Sequence, residues 1–331
     1  MSKETRPGSG HGTAADAGHG PDFDRKRYLV TGGCGFIGSH LVRALAAKAH
    51  RVTVLDNLST GRRENLPPGV TLIVGDISDR DAVETAMAEV DGIFHLAAVA
   101  SVERSTADWV ESHRTNLTGT VTLLDTARKA RPARRIPVVY ASSAAVYGNT
   151  SKSPLSEADA TVPASAYGAD KLACEHQARV ASLVHGVPTI GLRIFNAYGP
   201  RANPNSPYSG VISVFADRLA RGRTLPILGD GMQLRDFIHV SDIVLFLMRA
   251  MLLADDQARV VNLCTGRATS ILALARLLAK ISGVTPKLEF GSPRPGDVRS
   301  LVGDPSRSAV FFGLEAAIPL RRGLAALLEA A

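Results

Sequence analysis

The sequence is poor in cysteine, aromatic residues and long apolar runs, and each shortage excludes a class of protein. Its 331 residues include three cysteines without a CxxC spacing (Cys34, Cys174 and Cys264). This excludes a disulfide scaffold and predicts buried, reduced thiols in a cytoplasmic protein. The longest apolar candidate, Ile243–Ala254, is short and contains Arg249, so we expect no membrane span. The polar, Gly-rich N-terminus shows no secretory signal.

Several functional motifs are also missing from the chain. No GxSxG sequence occurs, which argues against a hydrolase with a serine elbow. The nine histidines show no ligand spacing, so we expect no metal site. The net charge of +7 would suit a nucleic-acid binder, but the densest basic clusters, Arg25–Arg27 and Arg128–Arg135, lack interleaved aromatics. We therefore expect no nucleic-acid partner, and a mild excess of cations suits a doubly anionic small substrate.

Short apolar runs alternate with amphipathic stretches from Tyr28 onward, which predicts an α/β fold. The runs are rich in Val, Ile and Leu without in-and-out alternation, as expected for strands covered on both faces. Ile37, Leu41 and Leu45 share one face of a predicted helix between the first two runs. This repeated alternation predicts a doubly wound parallel sheet. The predicted strands are Tyr28–Thr31, Val52–Leu55, Thr71–Val74, Gly92–Leu96, Pro137–Ala141 and Thr189–Ile194.

A glycine-rich turn follows the first predicted strand and opens a helix. Gly32, Gly35 and Gly38 have a GxxGxxG spacing. The first suits a tight turn, the second close approach of a pyrophosphate, and the third close packing of helix and strand. The helix N-terminus then offers unpaired N–H groups and a positive dipole end. The segment predicts a Rossmann-type dinucleotide site.

An acidic residue at the end of the second predicted strand selects between dinucleotides. Asp56, eighteen residues after Gly38, would accept hydrogen bonds from the adenosine ribose hydroxyls. A carboxylate there repels a 2′-phosphate and favours NAD over NADP, although Arg62 and Arg63 could soften this choice. Asp76 ends the third strand and either reaches the adenine amino group or caps the helix that follows.

The predicted strands and the change in composition along the chain divide it into three parts. Residues 1–25 are polar and aperiodic, and we predict a disordered tail. Residues 26–195 form a predicted NAD-binding Rossmann domain, to which segments around 232–265 return. Residues 196–231 and 266–331 form a smaller C-terminal substrate-binding lobe over the carboxyl edge of the sheet.

Tyr167 and Lys171 are spaced i and i+4, so on a helix both project from one face. A tyrosine has a pKa of about 10, and lowering it by roughly 3 units costs about 4 kcal/mol. One cation at about 5 Å, at an effective dielectric constant near 20, supplies roughly 3 kcal/mol. Lys171 and the positive nicotinamide ring are therefore both needed to make Tyr167 a base at neutral pH.

Two serines lie at the carboxyl end of the fifth predicted strand, the edge where ligands bind in such sheets. The hydroxyl of Ser142 or Ser143 could hydrogen-bond a reacting oxygen and relay its proton to Tyr167. The alternative is a pair of serines satisfied by the strand end itself.

Eight segments in order along the chain resemble the extended short-chain dehydrogenase/reductase family, nearest to its UDP-glucose 4-epimerases. The resemblance covers about residues 27–315. The segments are TGGCGFIGSHL, DNLSTG, GDISD, HLAA, SSAAVYG, YGADK, RIFNAYGP and RDFIHVSD.

The resemblance implies NAD as the cofactor and a role for each matching position. The pyrophosphate would contact Gly32, Gly35, Phe36, Ile37 and Gly38, and the adenosine half would contact Asp56, Asn57, Asp76 and Ile77. The cofactor would also be lined by Leu96, Ala97 and Ala98, and the local backbone would be anchored by Asn116. Ser143, Tyr167 and Lys171 would be the catalytic residues, the last two also contacting NAD. A UDP-sugar would contact Asn196, Arg235 and Arg294 through its diphosphate, Leu228 near the uracil and Leu301 near the sugar C2 substituent. Leu228 could equally pack in the core, and either arginine could form a surface ion pair.

The implied reaction is C4 epimerisation of a UDP-hexose through a 4-keto intermediate. Relatives that dehydrate across C5–C6 carry an Asp-Glu pair where this chain has Ala144 and Ala145, and decarboxylating relatives often carry Glu at the second place. The alanines favour an epimerase. The RIFNAYGP segment is more typical of decarboxylases, whereas SPYSGVIS is more typical of epimerases. A 4,6-dehydratase or UDP-glucuronate decarboxylase is the alternative, and a non-catalytic NAD-binding regulator a remote one. The family also implies a homodimer formed through the helix that carries Tyr167 and the helix next to it.

Overall fold

The computed structural model of the chain describes residues 25–130, 135–202, 210–293 and 298–329. Nearly all of the predicted tail and the candidate ligand Arg294 lie outside these ranges. The strands are β1 (Arg27–Thr31), β2 (Arg51–Asp56), β3 (Thr71–Val74), β4 (Gly92–His95), β5 (Val138–Ser143), β6 (Thr189–Ile194), β7 (Asn196–Tyr198), β8 (Leu225–Leu228), β9 (Leu234–His239), β10 (Arg259–Leu263), β11 (Ala268–Ser270), β12 (Leu288–Gly291) and β13 (Ser300–Leu301). The helices are α1 (Phe36–Ala47), α2 (Arg80–Ala86), α3 (Val102–Ala107), α4 (Trp109–His113), α5 (Gly119–Ala130), α6 (Ala166–His185), α7 (Val211–Ala220), α8 (Val240–Leu253), α9 (Ile271–Ser282), α10 (Ser306–Phe312) and α11 (Leu320–Glu329).

A seven-stranded parallel sheet in the order β10-β6-β5-β4-β1-β2-β3 confirms the predicted doubly wound α/β fold. All six predicted strands are present. β3 and β6 match their predicted ends, and β5 continues two residues beyond the prediction to Ser143. Helices α1 and α8 pack on one face, while α2, α5 and α6 pack on the other. Because both faces are covered, neighbouring residues of one strand enter opposite cores, as Leu29 and Val30 do.

The chain order of the sheet reverses beside β1, between its neighbours β2 and β4. A crevice opens at such a switch point, outside the carboxyl ends of the strands. Thr31, Asp56, His95 and Ser143 end four of these strands at this one edge. The fold therefore gathers the predicted cofactor and catalytic residues from distant parts of the chain.

The C-terminal part forms smaller sheets over this edge. In one small sheet, β9 lies between β11 and β13, and β7 also pairs with β9. A second small sheet consists of β8 and β12. The segment expected to return to the large sheet is split: β9 belongs to the small sheet, whereas α8 covers the large sheet and β10 extends its edge. One reason that β9 joins the small sheet is that β7, which directly follows β6, is a parallel partner for it. The proposed division into domains stays a prediction.

The apolar stretch noted in the sequence forms most of α8, whose buried face packs in the core of the large sheet. In the ranges the structure describes, no helix is long and apolar enough to span a lipid bilayer. All three cysteines are free thiols with buried side chains. Their burial raises the pKa of each, that of Cys34 to about 12 and that of Cys264 further still, so they are unreactive packing residues.

Candidate active site

The glycine-rich turn leaves the first turn of α1 open to an anion. Gly32 has a φ of +67°, and a Cβ on it would lie 2.7 Å from the backbone nitrogen of Ala97. A Cβ on Gly38 would lie 2.1 Å from the Gly32 carbonyl oxygen, so neither position admits a side chain. Gly35 is the N-cap of α1 and no side chain caps this end. The N–H groups near Phe36 and Ile37 and the positive end of the helix are thus available to a pyrophosphate.

Asp56 links the glycine loop to the end of β2. Its Oδ2 accepts a hydrogen bond from the Cys34 N–H (2.9 Å) and its Oδ1 one from the Leu58 N–H (2.9 Å). Burial raises the pKa of Asp56, while these backbone bonds oppose that shift. Each carboxylate oxygen keeps a lone pair, so the group can accept from two ribose hydroxyls. The arrangement fits the adenosine half of NAD.

Asp76 holds a local turn after β3 and does not cap the helix that follows. It accepts hydrogen bonds from the N–H (2.8 Å) and hydroxyl (2.7 Å) of Ser78 and from Asn57 Nδ2 (3.0 Å). Partial burial raises its pKa, but these hydrogen bonds outweigh it and the net shift is downward. The alternative that Asp76 caps the next helix is wrong, because Asp79 caps α2. Ile77 is buried in the core, so only its backbone is left to meet a cofactor.

The turn after β4 is held by hydrogen bonds with Thr31 and with Asn116. Thr31 Oγ1 accepts hydrogen bonds from the N–H groups of Leu96 and Ala97, each at 3.2 Å. Asn116 lies in a π-helical turn (Arg114–Thr118) between α4 and α5. Its Oδ1 accepts from the Val99 N–H (2.8 Å) and its Nδ2 donates to the Val99 carbonyl (3.3 Å). Asn116 thus holds the backbone immediately beyond Ala98, the position at which the resemblance implied an anchor.

Tyr167 and Lys171 lie in the first turns of α6, as their spacing predicted. Ser165 caps this helix by accepting a hydrogen bond from the Gly168 N–H (3.1 Å). The Lys171 Nζ lies 5.9 Å from the centre of the Tyr167 ring and donates to the Ala141 carbonyl of β5 (2.9 Å). Lys171 is buried while Tyr167 is partly exposed. A fixed ammonium therefore faces a phenol that a ligand can reach.

The structure separates the two serines that the sequence left as alternatives. Ser142 is buried and its Oγ donates to Glu175 Oε1 at 2.5 Å, so this hydroxyl is committed to the interior. Ser143 Oγ accepts from the Ala145 N–H (3.1 Å) at the start of a 3₁₀ turn (Ala144–Tyr147). Accepting that bond leaves the Ser143 hydroxyl hydrogen free to donate to a ligand.

Four of the predicted substrate residues lie in the smaller sheets. Asn196 begins β7, and its Nδ2 donates to the Asp236 carbonyl (2.9 Å) with one hydrogen left over. Arg235 lies on β9, where its Nη1 donates to the carbonyls of Leu234 (2.9 Å) and Val298 (2.7 Å). These bonds hold the guanidinium along the strand.

The two predicted apolar contacts differ in their burial. Leu301 pairs with Arg235 in the register of β13 and β9 and packs against the small core that contains Ala144 and Phe195. Leu228 ends β8 with 37% of its surface exposed, which favours a contact surface over core packing. Arg294 lies outside the described residues, and its role remains a prediction.

A buried ion pair beneath the site was missed by the sequence analysis. Glu175 follows Lys171 by four residues, as Lys171 follows Tyr167, so all three lie along one side of α6. Arg193 interrupts the apolar run of β6, and its guanidinium meets Glu175 at 2.8 Å. These two signals, a third residue at helical spacing and an arginine inside a buried strand, were available in the sequence.

The switch-point crevice, the uncapped glycine-rich helix and the carboxylate at the end of β2 define a Rossmann-type dinucleotide-binding protein. Comparison with known proteins narrows this class. The model of the NAD dependent epimerase/dehydratase family matches residues 28–264, and the chain belongs to that family.

Individual relatives agree with this placement. The chain is 37% identical over 310 residues to the UDP-glucose 4-epimerase of Mycolicibacterium smegmatis, covering 92% of this chain and 97% of that protein. The crystal structure of UDP-glucose 4-epimerase from Thermotoga maritima with UDP-glucose is 34% identical, with a TM-score of 0.88 over 92% of this chain and 98% of that one. The UDP-glucose 4-epimerase of Thermus thermophilus, solved as a complex with NAD, is 33% identical with a TM-score of 0.85 over the same shares.

Proposed function

We propose that this chain catalyses NAD-dependent epimerisation at C4 of a UDP-hexose, of the UDP-glucose/UDP-galactose type, through a 4-keto intermediate. The observation that carries the proposal is the trio of Ser143, Tyr167 and Lys171 at the edge of the sheet beside the glycine loop. Ser143 has a hydroxyl hydrogen to donate, and Lys171 is buried and fixed by Ala141. The named 4-epimerases to which the chain is similar support the substrate class.

The residues divide the proton chemistry between them. Ser143 orients the sugar O4 by a hydrogen bond, and Tyr167 as phenolate takes the O4 proton through it. Lys171 favours the phenolate by its charge and, anchored on Ala141, cannot turn away. The bound NAD would supply the acceptor for the C4 hydride, and would return it to the opposite face of C4 once the 4-keto sugar has turned over. Tyr167 then gives the proton back to O4, so protons and electrons balance and no cofactor is consumed.

The residues assigned to the two ligands follow the same geometry. We assign the pyrophosphate to the start of α1, the ribose to Asp56, and the adenine to the pair of Asp76 and Asn57. The UDP-sugar then lies under the smaller sheets, between Ser143 and the group Asn196, Leu228, Arg235 and Leu301. Arg294 is the second proposed diphosphate ligand.

Dehydration and decarboxylation are less well supported by the same site. Loss of the C6 hydroxyl requires a group that protonates it as it leaves. The two residues after Ser143 are Ala144 and Ala145, which carry no proton, and Ala144 is buried in the core. At these two positions the chain therefore offers no acid for a leaving C6 hydroxyl.

Incubation of the purified protein with UDP-galactose, with and without added NAD, tests the proposal. The expected product is UDP-glucose, which has the mass of the substrate. A product of altered mass would instead assign the chain to the dehydratases or decarboxylases. Failure to form a C4 epimer from UDP-galactose or related UDP-sugars would overturn the proposal.

We also propose that the chain forms a homodimer through α4 and α6. The two helices pack together and expose large apolar side chains, namely Trp109, Val110, Val180, Leu183 and Val184. Exposed apolar side chains grouped on neighbouring helices are typical of an interface. A two-fold axis would bring the same face of two copies together, so each copy can cover the other.

Sedimentation velocity tests the dimer directly. Leu183→Glu/Val184→Glu should shift a dimer to a monomer. The matched control is Val310→Glu, which places a charge at a residue that is 87% exposed on α10, a helix that packs on α8 at the opposite face of the sheet. The control should stay dimeric, and a monomeric unsubstituted protein would overturn the proposal.

A further inference from the structure

His95 connects three segments of the proposed cofactor site. It ends β4 immediately before the turn of Leu96, Ala97 and Ala98, and its side chain is buried. Its Nδ1 lies 2.8 Å from Thr31 Oγ1, at the entry to the glycine loop. Its Nε2 lies 3.0 Å from Thr120 Oγ1, on α5 just after the turn that holds Asn116.

Counting hydrogens and lone pairs gives each of these bonds a direction. Thr120 Oγ1 donates its only hydrogen to the Asn116 carbonyl, so towards His95 Nε2 it acts as the acceptor. The ring hydrogen is therefore on Nε2. In a neutral ring Nδ1 is then an acceptor, and it receives the hydrogen of Thr31 Oγ1.

The chain of bonds continues in the same direction beyond the ring. Thr120 Oγ1 donates its hydrogen to the Asn116 carbonyl at 2.6 Å. Cys174 Sγ, on α6, lies 3.3 Å from both Thr120 Oγ1 and that carbonyl, and its single hydrogen can be shared between them. A second proton on the ring would point at Thr31 Oγ1, where it would compete with the Ala97 N–H and with the Leu96 N–H that this oxygen shares with the Thr31 carbonyl.

The electrostatics of the site agree with this count. Burial and, to a smaller extent, the charge of Lys171 lower the pKa of His95 to about 3. A pKa of about 3 keeps the ring neutral near pH 7, so His95 adds no second positive charge beside Lys171.

We propose that His95, as the neutral Nε2–H tautomer, is a positioning residue that holds the glycine loop, the 96–98 turn and the Asn116 turn in register. We call the His95–Thr31 and His95–Thr120 hydrogen bonds the Thr31 arm and the Thr120 arm. The Thr31 arm acts on cofactor binding because it fixes the glycine loop against the 96–98 turn, where Gly32 and Ala97 are too close for a Cβ between them. The Thr120 arm acts on Asn116, whose Nδ2 also donates to Asp170 (3.4 Å), the neighbour of Lys171. Its effect on turnover rests on the proposed function.

Two substitutions separate the arms. In His95→Gln the amide nitrogen can replace Nε2 and keep Thr120, while the Thr31 arm is lost. In His95→Asn the amide oxygen can replace Nδ1 and keep Thr31, while the Thr120 arm is lost. We expect H95Q to weaken NAD binding by about tenfold, the loss of one buried hydrogen bond, with kcat at saturating NAD within about threefold. We expect H95N to lower kcat by about tenfold with NAD affinity within about threefold.

Thr189→Val is the matched control. Thr189 is a buried hydroxyl at the opposite end of the same sheet, bonded to Ser182 Oγ at 2.8 Å. It should lower Tm and leave both NAD affinity and kcat unchanged. NAD affinity is read from the dependence of Tm on added NAD, and kcat from UDP-galactose turnover.

Long-range ¹H–¹⁵N spectra of the unsubstituted protein test the tautomer without any variant. The proposal expects a neutral ring with hydrogen on Nε2 throughout the range from about pH 5 to 8, against an ordinary histidine pKa of about 6.5. A ring that titrates in this range or carries its hydrogen on Nδ1 overturns it. So do His95 variants that change NAD affinity and kcat no more than T189V does. The spectra and the NAD affinities need no sugar, so a failure of the proposed function would show separately as an unsubstituted protein that forms no epimer.

Discussion

Arg193 and Glu175 form a two-pronged ion pair buried between β6 and α6. Arg193 Nε donates to Glu175 Oε1 (2.9 Å) and Nη2 donates to Oε2 (2.8 Å). Nη1 donates to Tyr147 Oη (2.9 Å), and Ser142 donates to the same Oε1 that Nε contacts. The pair therefore fixes α6, which carries Tyr167 and Lys171, against β6. The Ser142 bond ties the same carboxylate to β5, the strand that ends in Ser143.

Breaking this pair should destabilise the fold strongly. Glu175→Ala leaves a buried guanidinium without its carboxylate, and we expect the free energy of unfolding to fall by about 3–5 kcal/mol. Asp217→Ala breaks the solvent-screened pair with Arg221 and should cost about 1 kcal/mol or less. Urea unfolding measures both, and equal losses would contradict the role given to the buried pair.

The two neighbouring serines should separate chemistry from stability. Ser143→Ala removes the hydroxyl that we propose bonds the sugar O4, and should lower kcat by about 10²-fold. Ser142→Ala removes a donor to Glu175 and should lower the unfolding free energy by about 1–3 kcal/mol, with a smaller effect on kcat. Initial rates and urea unfolding of both variants check this. A larger loss of kcat in S142A than in S143A would reverse the assignment.

Replacing the phenol should abolish turnover without unfolding the protein. Tyr167→Phe should lower kcat by about 10³-fold, because the O4 proton loses its acceptor. Its Tm should stay near that of the unsubstituted protein, since Tyr167 is partly exposed. Tyr147→Phe provides the contrast: it removes a buried hydroxyl bonded to Arg193 and Asn262 and should cost about 1–3 kcal/mol of stability. Unchanged turnover in Y167F would refute the proposed base.

The Asp56 carboxylate at the end of β2 should set the choice of dinucleotide. Asp56→Asn removes the charge that repels a 2′-phosphate and weakens the acceptor for the ribose. We expect NAD affinity to fall by about tenfold and the preference over NADP to narrow, as a charge-assisted hydrogen bond becomes a neutral one. Asp76→Asn, placed near the adenine, should leave the ratio of the two affinities unchanged. Titrations with both dinucleotides measure it, and an unaltered ratio in D56N would contradict the assignment.

The free energy of unfolding should fall at acidic pH because of His95. Its folded pKa of about 3 lies below the ordinary value of 6.5, so the unfolded chain binds a proton that the folded protein excludes. The unfolding free energy should therefore drop as pH falls from 6.5 towards 3, by up to about 1.4 kcal/mol per pH unit for this group. The lowered pKa values of His40 and His239, both caused mainly by burial, add to the slope in the same direction. Urea unfolding at a series of pH values should show a shallower slope in H95Q, and an identical slope would contradict the assignment.

Much of the large sheet was predictable because its strands are buried on both faces. Their apolar runs are continuous, so six strands could be located within one or two residues. The small sheets were not predicted in this form, because β7, β11 and β13 have only two or three residues each and depend on pairing with β9. Short strands of this kind carry too little periodicity to be recognised alone.

The sequence by itself determined the α/β alternation, the glycine loop and the helical spacing of Tyr167 and Lys171, because each depends on residues close together along the chain. Only the tertiary structure decided which serine hydroxyl is free, which nitrogen of His95 carries the hydrogen, and that Glu175 meets Arg193. The physical reason is that a hydroxyl or a ring nitrogen acts as donor or acceptor according to the atoms packed against it. Those atoms come from β1, β6, α5 and α6, and only the packing of the sheet brings them together.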